Sequence, residues 1–205
     1  MRTAKITLSP KEQELVNNAD WILTKNLIIN KVYELFGQVS INYVNTYQQF
    51  SEFEVAPMFA IPPKISKGEQ YLQLPYVMLD FPRTFTDTDY FAIRSFFWWG
   101  NHCSIHLLLK GSYLQTYGPS IDRFMALSGK YTLETKDWYI GVGADPWQHH
   151  FETDNYLLLD NWKGKSVTNL PFLKLAKKIP LEQWDDIELF LTIHFNKMLA
   201  IMLEY

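Results

Sequence analysis

An α+β fold is predicted for this 205-residue chain: a central antiparallel sheet over about residues 64–160, packed against N-terminal helices and a buried C-terminal helix. Three observations predict it. Apolar residues recur at helical spacing through the first fifty positions. The middle is dense in β-branched and aromatic residues divided by turn signals. The last twenty residues are apolar almost all round a helix. Helices, then strands, then a helix is the order of an α+β protein, whereas a doubly wound fold needs strict βαβ alternation. The length fits one domain, 1–205, with a helical part at 9–53, a β-rich middle at 64–160 and a C-terminal helix at 184–204.

The first helix starts at Ser9-Pro10-Lys11-Glu12, a capping box with proline at the first helical position. Leu15, Ala19, Ile22, Ile29, Tyr33 and Phe36 form its apolar stripe. Asn17-Asn18-Ala19-Asp20 marks a break, because Asn and Asp compete for backbone hydrogen bonds. Gly37 is read as a stop, and Ser40 as the cap of a further helix with Ile41, Val44 and Tyr47 inward. Residues 54–70, punctuated by Pro57 and Pro62-Pro63, are read as a connection.

Leu72–Phe81 is the first strongly β-forming run. Tyr90–Trp99 and His102–Lys110 follow as a hairpin about Gly100-Asn101, with a single bent strand as the alternative. Alternation then puts Cys103, Ile105, Leu107 and Leu109 on one face and His102, Ser104, His106 and Leu108 on the other. Thr86–Asp89 could instead cap a short helix. Pro119–Leu127 reads as a short helix ended by Gly129, and Tyr131–Val142 and Asn155–Asp160 as strands. Residues 169–179 fit helix or strand. From Trp184 a helix runs on, with 12 of the 17 positions from Ile187 to Leu203 apolar, which places it centrally and buried on most sides.

Composition narrows the function classes. The net charge is −3 and the pI about 5.9, so no basic face is expected for nucleic acid. Cys103 is the single cysteine, which removes internal disulfides and thiolate metal clusters. The start of the chain lacks the apolar run of a secretory signal. The longest apolar run, Met198–Leu203, falls far short of the ~20 residues that span a bilayer. A cytoplasmic location without membrane partners is the expectation. The Gly141-Val142-Gly143 pair lacks the lysine and third glycine of a phosphate loop. Phe, Tyr and Trp make up 16% of the chain, enough for a thick aromatic core or an aromatic-lined groove.

Two groups of residues carry chemistry. Arg94 is a full charge inside an aromatic strand and must be paired. Asp80 on the neighbouring strand is the structural partner, and a carboxylate or phosphate ligand the functional one. With Trp98, Trp99, His102 and His106, Arg94 would rim a pocket. The segment Asp145–Asp154 brings His149 and His150 together with Asp145, Glu152 and Asp154. Asp145, His149, His150, Glu152 and the distant His194 outline a metal set, of which His150, Glu152 and His194 resemble a two-His-one-carboxylate triad, against the plainer reading of a solvated acidic loop and a core histidine. Five lysines and no acid follow over residues 161–179, a solvated face or a docking face for an acidic partner. Cys103 lies on the apolar strand face, where a thiol is an inert packing group.

The stretch Leu74-Pro75-Tyr76-Val77-Met78-Leu79-Asp80-Phe81-Pro82-Arg83, with Ala92-Ile93-Arg94 and Phe97-Trp98-Trp99-Gly100-Asn101, resembles an uncharacterised family of bacterial cytoplasmic proteins. The resemblance is strongest over residues 70–112. The family has no assigned activity, so it implies no catalytic residues. The first functional reading is therefore a non-catalytic protein, without cofactor, that binds a small molecule or a protein partner at the Arg94 pocket. The alternative is a metal-dependent enzyme using residues 145–154 with His194. A third reading is a subunit of a larger assembly, a homo-oligomer included, joined through exposed aromatics.

Overall fold

The structure is a computed structural model and describes residues 6–50, 57–126 and 136–204. Seven antiparallel strands make one sheet: β1 Lys64–Tyr71, β2 Leu74–Phe85, β3 Tyr90–Trp98, β4 His102–Lys110, β5 Tyr139–Gly141, β6 Tyr156–Leu158 and β7 Leu173–Pro180. Their spatial order is β1-β2-β3-β4-β7-β5-β6. Four helices accompany them: α1 Pro10–Asn17, α2 Ala19–Tyr47, α3 Ser112–Met125 and α4 Ile187–Glu204. The fold is α+β, with the C-terminal helix packed on the sheet.

The β3–β4 hairpin forms as its turn residues dictate. Gly100 adopts φ +70°, a conformation that only glycine takes without strain. Trp98 then pairs with His102 and Arg94 with His106. Cys103, Ile105, Leu107 and Leu109 face the helices, together with Ile93 and Phe97 of β3, Val77, Leu79 and Phe81 of β2, and Leu173 and Leu175 of β7. Against them pack Ile29, Val32, Phe36, Val39 and Tyr43 of α2, Ile121 and Phe124 of α3, and Leu191, Phe195 and Met198 of α4. Tyr43 stacks on Phe195 at 3.9 Å, and its hydroxyl bonds Ser95 at 2.8 Å, the one hydroxyl side chain in that stretch of β3.

Several elements differ from the sequence expectation, each for a physical reason. The sheet extends beyond residue 160: β7 lies between β4 and β5 and settles the ambiguity over 169–179. Residues 64–70 are not part of a connection but most of β1, an edge strand whose lysines and glutamate disguise it. Helix α2 runs unbroken through Gly37 and Ser40, because its apolar stripe continues in phase and packs on the sheet; Ser40 merely bonds back to the Gly37 carbonyl at 2.7 Å. The break at Asn18 is real, and Asn18 caps α2 by accepting from the Trp21 N–H. Helix α3 begins seven residues before Pro119 and carries that proline inside. Thr86–Asp89 closes a turn rather than capping a helix, with the Thr86 N–H bonded to the Asp89 carbonyl at 2.8 Å. The strand expected at 131–142 is β5, Tyr139–Gly141; Gly129 and residues 131–135 lie outside the described residues. Helix α4 starts at Ile187 after a 3-10 turn and is not buried all round, since Leu189 and Ile193 face outward.

Candidate functional site

The face of the sheet turned away from the helices mixes buried polar groups with aromatic residues and a small apolar cluster of Tyr90, Ala92 and Leu108. Strand registry sets it out as a grid. Asp80, Arg94, His106, Ala176 and Tyr139 form one row across five strands, and Tyr76, Trp98, His102 and Pro180 form another. In an antiparallel pair such directly opposite residues have adjacent side chains. Arg94 therefore meets Asp80 without any loop having to place either. Its Nε donates to Oδ1 at 2.7 Å and its Nη2 to Oδ2 at 2.9 Å, a bidentate pair.

A strap, residues 142–155 between β5 and β6, closes over this grid. Trp147 packs on Phe85 and Tyr90 and lies 5.5 Å from the Arg94 guanidinium. Phe151 stacks on Tyr156 and meets the edge of His102. The hydroxyl of Tyr71 accepts from the backbone N–H groups of His149 (2.6 Å) and His150 (3.0 Å) and donates to Gln148 Oε1. Lys174 holds the strap from below, donating to the carbonyls of Asp145 and Gln148 and to Asn155 Oδ1. Gly141 lets the lysine stem pass, because a Cβ there would lie 2.5 Å from Lys174 Cε.

Hydrogen-bond logic fixes the imidazoles. The remaining Arg94 nitrogen, Nη1, is only a donor, so His149 Nε2, 3.0 Å away, must accept. Neutral His149 then carries its proton on Nδ1, which is buried and has no partner. His106 sits between Tyr156 (Nδ1 to the hydroxyl, 2.8 Å) and Ser104 (Nε2 to Oγ, 2.8 Å), and Ser104 reaches the Phe96 carbonyl at 3.4 Å. A consistent chain has Tyr156 donating to His106, His106 to Ser104 and Ser104 to the carbonyl. Burial holds His106 and His149 neutral and well below the usual imidazole range, and the nearby Lys174 and Arg94 charges push the same way. Burial, aided by Lys178, brings His102 down to about 4. Burial lowers Lys174 to about 8.

The centre is closed to solvent. Arg94, His106 and His149 are 7%, 0% and 2% exposed, so no solute reaches them in this state. Ser104 beside His106 has the outline of a nucleophile and base, but Ser104 is fully buried and the group orienting the histidine is a phenol, not a carboxylate. Cys103 is buried on the helix side, and burial pushes its thiol up to about 12.

Of the five residues expected to rim a pocket, Arg94, Trp98, His102 and His106 do share this face: Arg94 and His106 lie buried beneath the strap, Trp98 packs on Tyr71, and His102, itself buried, lines a surface cleft with Asn101, Asp137, Tyr139, Lys178 and Pro180. Trp99 does not join them: the chain turns there and Trp99 packs on the helix-side core. Trp98 Nε1 and His102 Nε2 find no partner among the described residues. The metal set does not assemble. Asp145, His149, His150 and Glu152 lie in the strap, while His194 is on α4, across the sheet, its Nδ1 2.7 Å from the Phe190 carbonyl and its ring against Trp138. Among the described residues no three His, Cys, Asp or Glu side chains converge on a metal position. Nor is the acidic segment merely a solvated loop, since His149 and Asn155 are buried in it. Sequence reasoning missed Tyr71, Tyr156 and Lys174, which come from distant positions in the chain.

A second region stands out by exposure. No residue from Ile6 to Ile28 is buried. Leu8, Leu15, Val16, Trp21, Ile22, Leu23 and Leu27 are between 46% and 67% exposed. All but Leu8, which precedes α1, lie on α1 and the first turns of α2, an arm whose two helices are capped at their starts by Ser9–Glu12 and by Asn18. Leu15 and Ile22, expected in the apolar stripe, are among them. The elbow between the helices holds an apolar groove of about 630 Å³.

Comparison with protein families, with curated proteins and with solved structures finds no match to this chain. The functional reading therefore rests on the geometry above.

Proposed function

We propose that this is a non-catalytic, partner-binding protein whose binding element is the N-terminal arm, and that the buried Arg94–His149–His106 centre serves to lock the strap. One observation carries the reading: seven large apolar side chains on the arm are about half exposed, and none of residues 6–28 is buried among the described residues. A contiguous apolar patch of that kind on a folded protein marks an interaction surface. Full burial of such a side chain gains about 1.5–3 kcal/mol, so covering the open half of seven gains on the order of 5–10 kcal/mol. That is the scale that association requires. An eight-residue helix such as α1 is also marginal in water alone, so a covering partner would stabilise the arm itself. The sealed centre supports the same reading by elimination, since its donors and acceptors are largely taken up by the chain.

Hydrogen–deuterium exchange on the full chain tests this. Amides of residues 10–24 should exchange at nearly free-chain rates in dilute protein, while β3 and β4 are strongly protected, and should slow at least about tenfold when the partner covers them. An arm as protected as β3–β4 in dilute, isolated protein would overturn the reading.

A further inference from the structure

We infer that the strap is a proton-operated lid: protonation of His149 frees its middle from the sheet while the sheet stays folded. The inference rests on the reading of the centre as a lock and is independent of the arm. The strap is attached in a way that lets it lift. Among the described residues, the backbone of residues 144–154 hydrogen-bonds only within the strap or to its base: the Gln148 N–H to the Asp145 carbonyl, and the Asn155 and Tyr156 N–H groups to the Glu152 carbonyl. The Val142 and Gly143 N–H groups close that base on the Asn155 carbonyl. The ties from the strap to the sheet run through side chains, those of Tyr71, Arg94, His102 and Lys174. Lifting the strap therefore breaks no rung of the sheet. Within it only His149 and Asn155 are buried.

His149 is the tie that an added proton cuts. Its Nε2 holds Arg94 Nη1 through a lone pair, and an imidazolium has none. Its Nδ1 has no acceptor either, so a protonated ring would carry two unmatched N–H groups, one of them against a guanidinium. The surroundings supply no free counter-charge. Asp80 on β2 is engaged by Arg94 on β3 through both carboxylate oxygens. His106 lies 4.8 Å away ring to ring, and together with His102 on the same strand and Lys174 on β7 it opposes the charge. Tyr71 on β1 and Tyr156 on β6 are phenols that stay neutral in acid. In the strap, Asp145 bears on Tyr71, Tyr90 and Lys174, and Asp154 lies 3.9 Å from His150. Lys174 keeps its proton in acid, so its bonds to the Asp145 carbonyl and Asn155 Oδ1 hold the two ends of the strap while the middle lifts. Opening uncovers Arg94 Nη1 and Phe96, whose ring lies 4.8 Å from that of His149.

The linkage has a definite slope. The closed strap refuses a proton at His149 and the open one takes it at the ordinary 6.5, so the opening constant rises about tenfold per pH unit below that value, and on the order of 100-fold between pH 7 and about pH 4.5. Hydrogen–deuterium exchange of the full chain, corrected for the intrinsic pH dependence of amide exchange, tests it. The His149 and His150 amides, which donate to Tyr71, should lose protection by that factor while β3 and β4 keep theirs. His149→Gln, whose amide oxygen accepts from Arg94 and gains no proton, should stay closed across the range, and His150→Gln should open as the wild type does. Strap amides that keep their protection at about pH 4.5 would overturn the switch and leave the lock standing. Strap amides at free-chain rates already at pH 7 would overturn the lock and the switch together. Loss in step with β3 and β4 would be global unfolding, and a His149→Gln protein that still opens would have another trigger; either result overturns the inference. The wild-type slope needs no variant to fold, so the test does not hang on His149→Gln.

Discussion

The polar centre and the N-terminal arm break the same rule in opposite directions. The centre buries an arginine, an aspartate, a lysine and two neutral histidines; the arm exposes a tryptophan and six aliphatic side chains. The difference lies in satisfaction. In the centre almost every polar atom has a partner within the chain, set by strand registry or by the strap, and only isolated atoms such as His149 Nδ1 are left over. In the arm about half of each apolar side chain is left uncovered by the described residues. A buried polar group that is already bonded speaks of how a fold is locked. An apolar surface left open speaks of something outside it.

The strongest way to break this contrast is to unpair the centre. Asp80→Ala strands the Arg94 guanidinium beneath the strap, and removing one partner of a buried ion pair costs about 3–5 kcal/mol. Urea denaturation should show a loss of that size. The double variant Asp80→Leu with Arg94→Met should recover most of it, because both charges go together. A loss under about 1 kcal/mol for Asp80→Ala would mean that Arg94 reaches water or another anion, and the centre would then be an openable site rather than a lock.

Acid should loosen the same region as well. His102, His106 and His149 have folded pKa values below the ordinary 6.5, so the unfolded chain binds protons that the folded protein refuses. Their contribution is fully present above pH 6.5 and is lost as pH falls towards the folded values. His102, at about 4, alone accounts for on the order of 2 kcal/mol lost by pH 5. Urea midpoints at pH 7 and pH 5 measure it. Equal midpoints would mean that the imidazoles sit in water, and the contrast between sealed centre and open arm would disappear.

Parts of this were legible in the sequence. A charged residue inside an aromatic strand must be paired, and alternation along β2 and β3 points Arg94 at Asp80, as the registry bears out. Gly100-Asn101 announces the hairpin that aligns Arg94 with His106. The strap was not legible, because its meaning comes from Tyr71 and Lys174, residues 78 and 29 or fewer positions away from the strap residues they hold. Strand β1 was hidden by the polar side chains that suit an edge. The arm was legible as an amphipathic stripe, yet periodicity says only that a face is covered, not by which molecule. Leu15 and Ile22 were accordingly read into one stripe with Ile29 and Phe36, of which only Ile29 and Phe36 are buried.

The smallest effect sharpens the contrast most. Half-exposed side chains outside the core contribute little to folding, so Trp21→Ser with Leu23→Ser should shift the unfolding free energy by no more than about 0.5 kcal/mol per site in dilute protein. Leu191→Ala, which empties a fully buried position between α4 and the sheet, should cost about 2–5 kcal/mol. A large loss on mutating the arm in dilute solution would place Trp21 and Leu23 in the protein's own core.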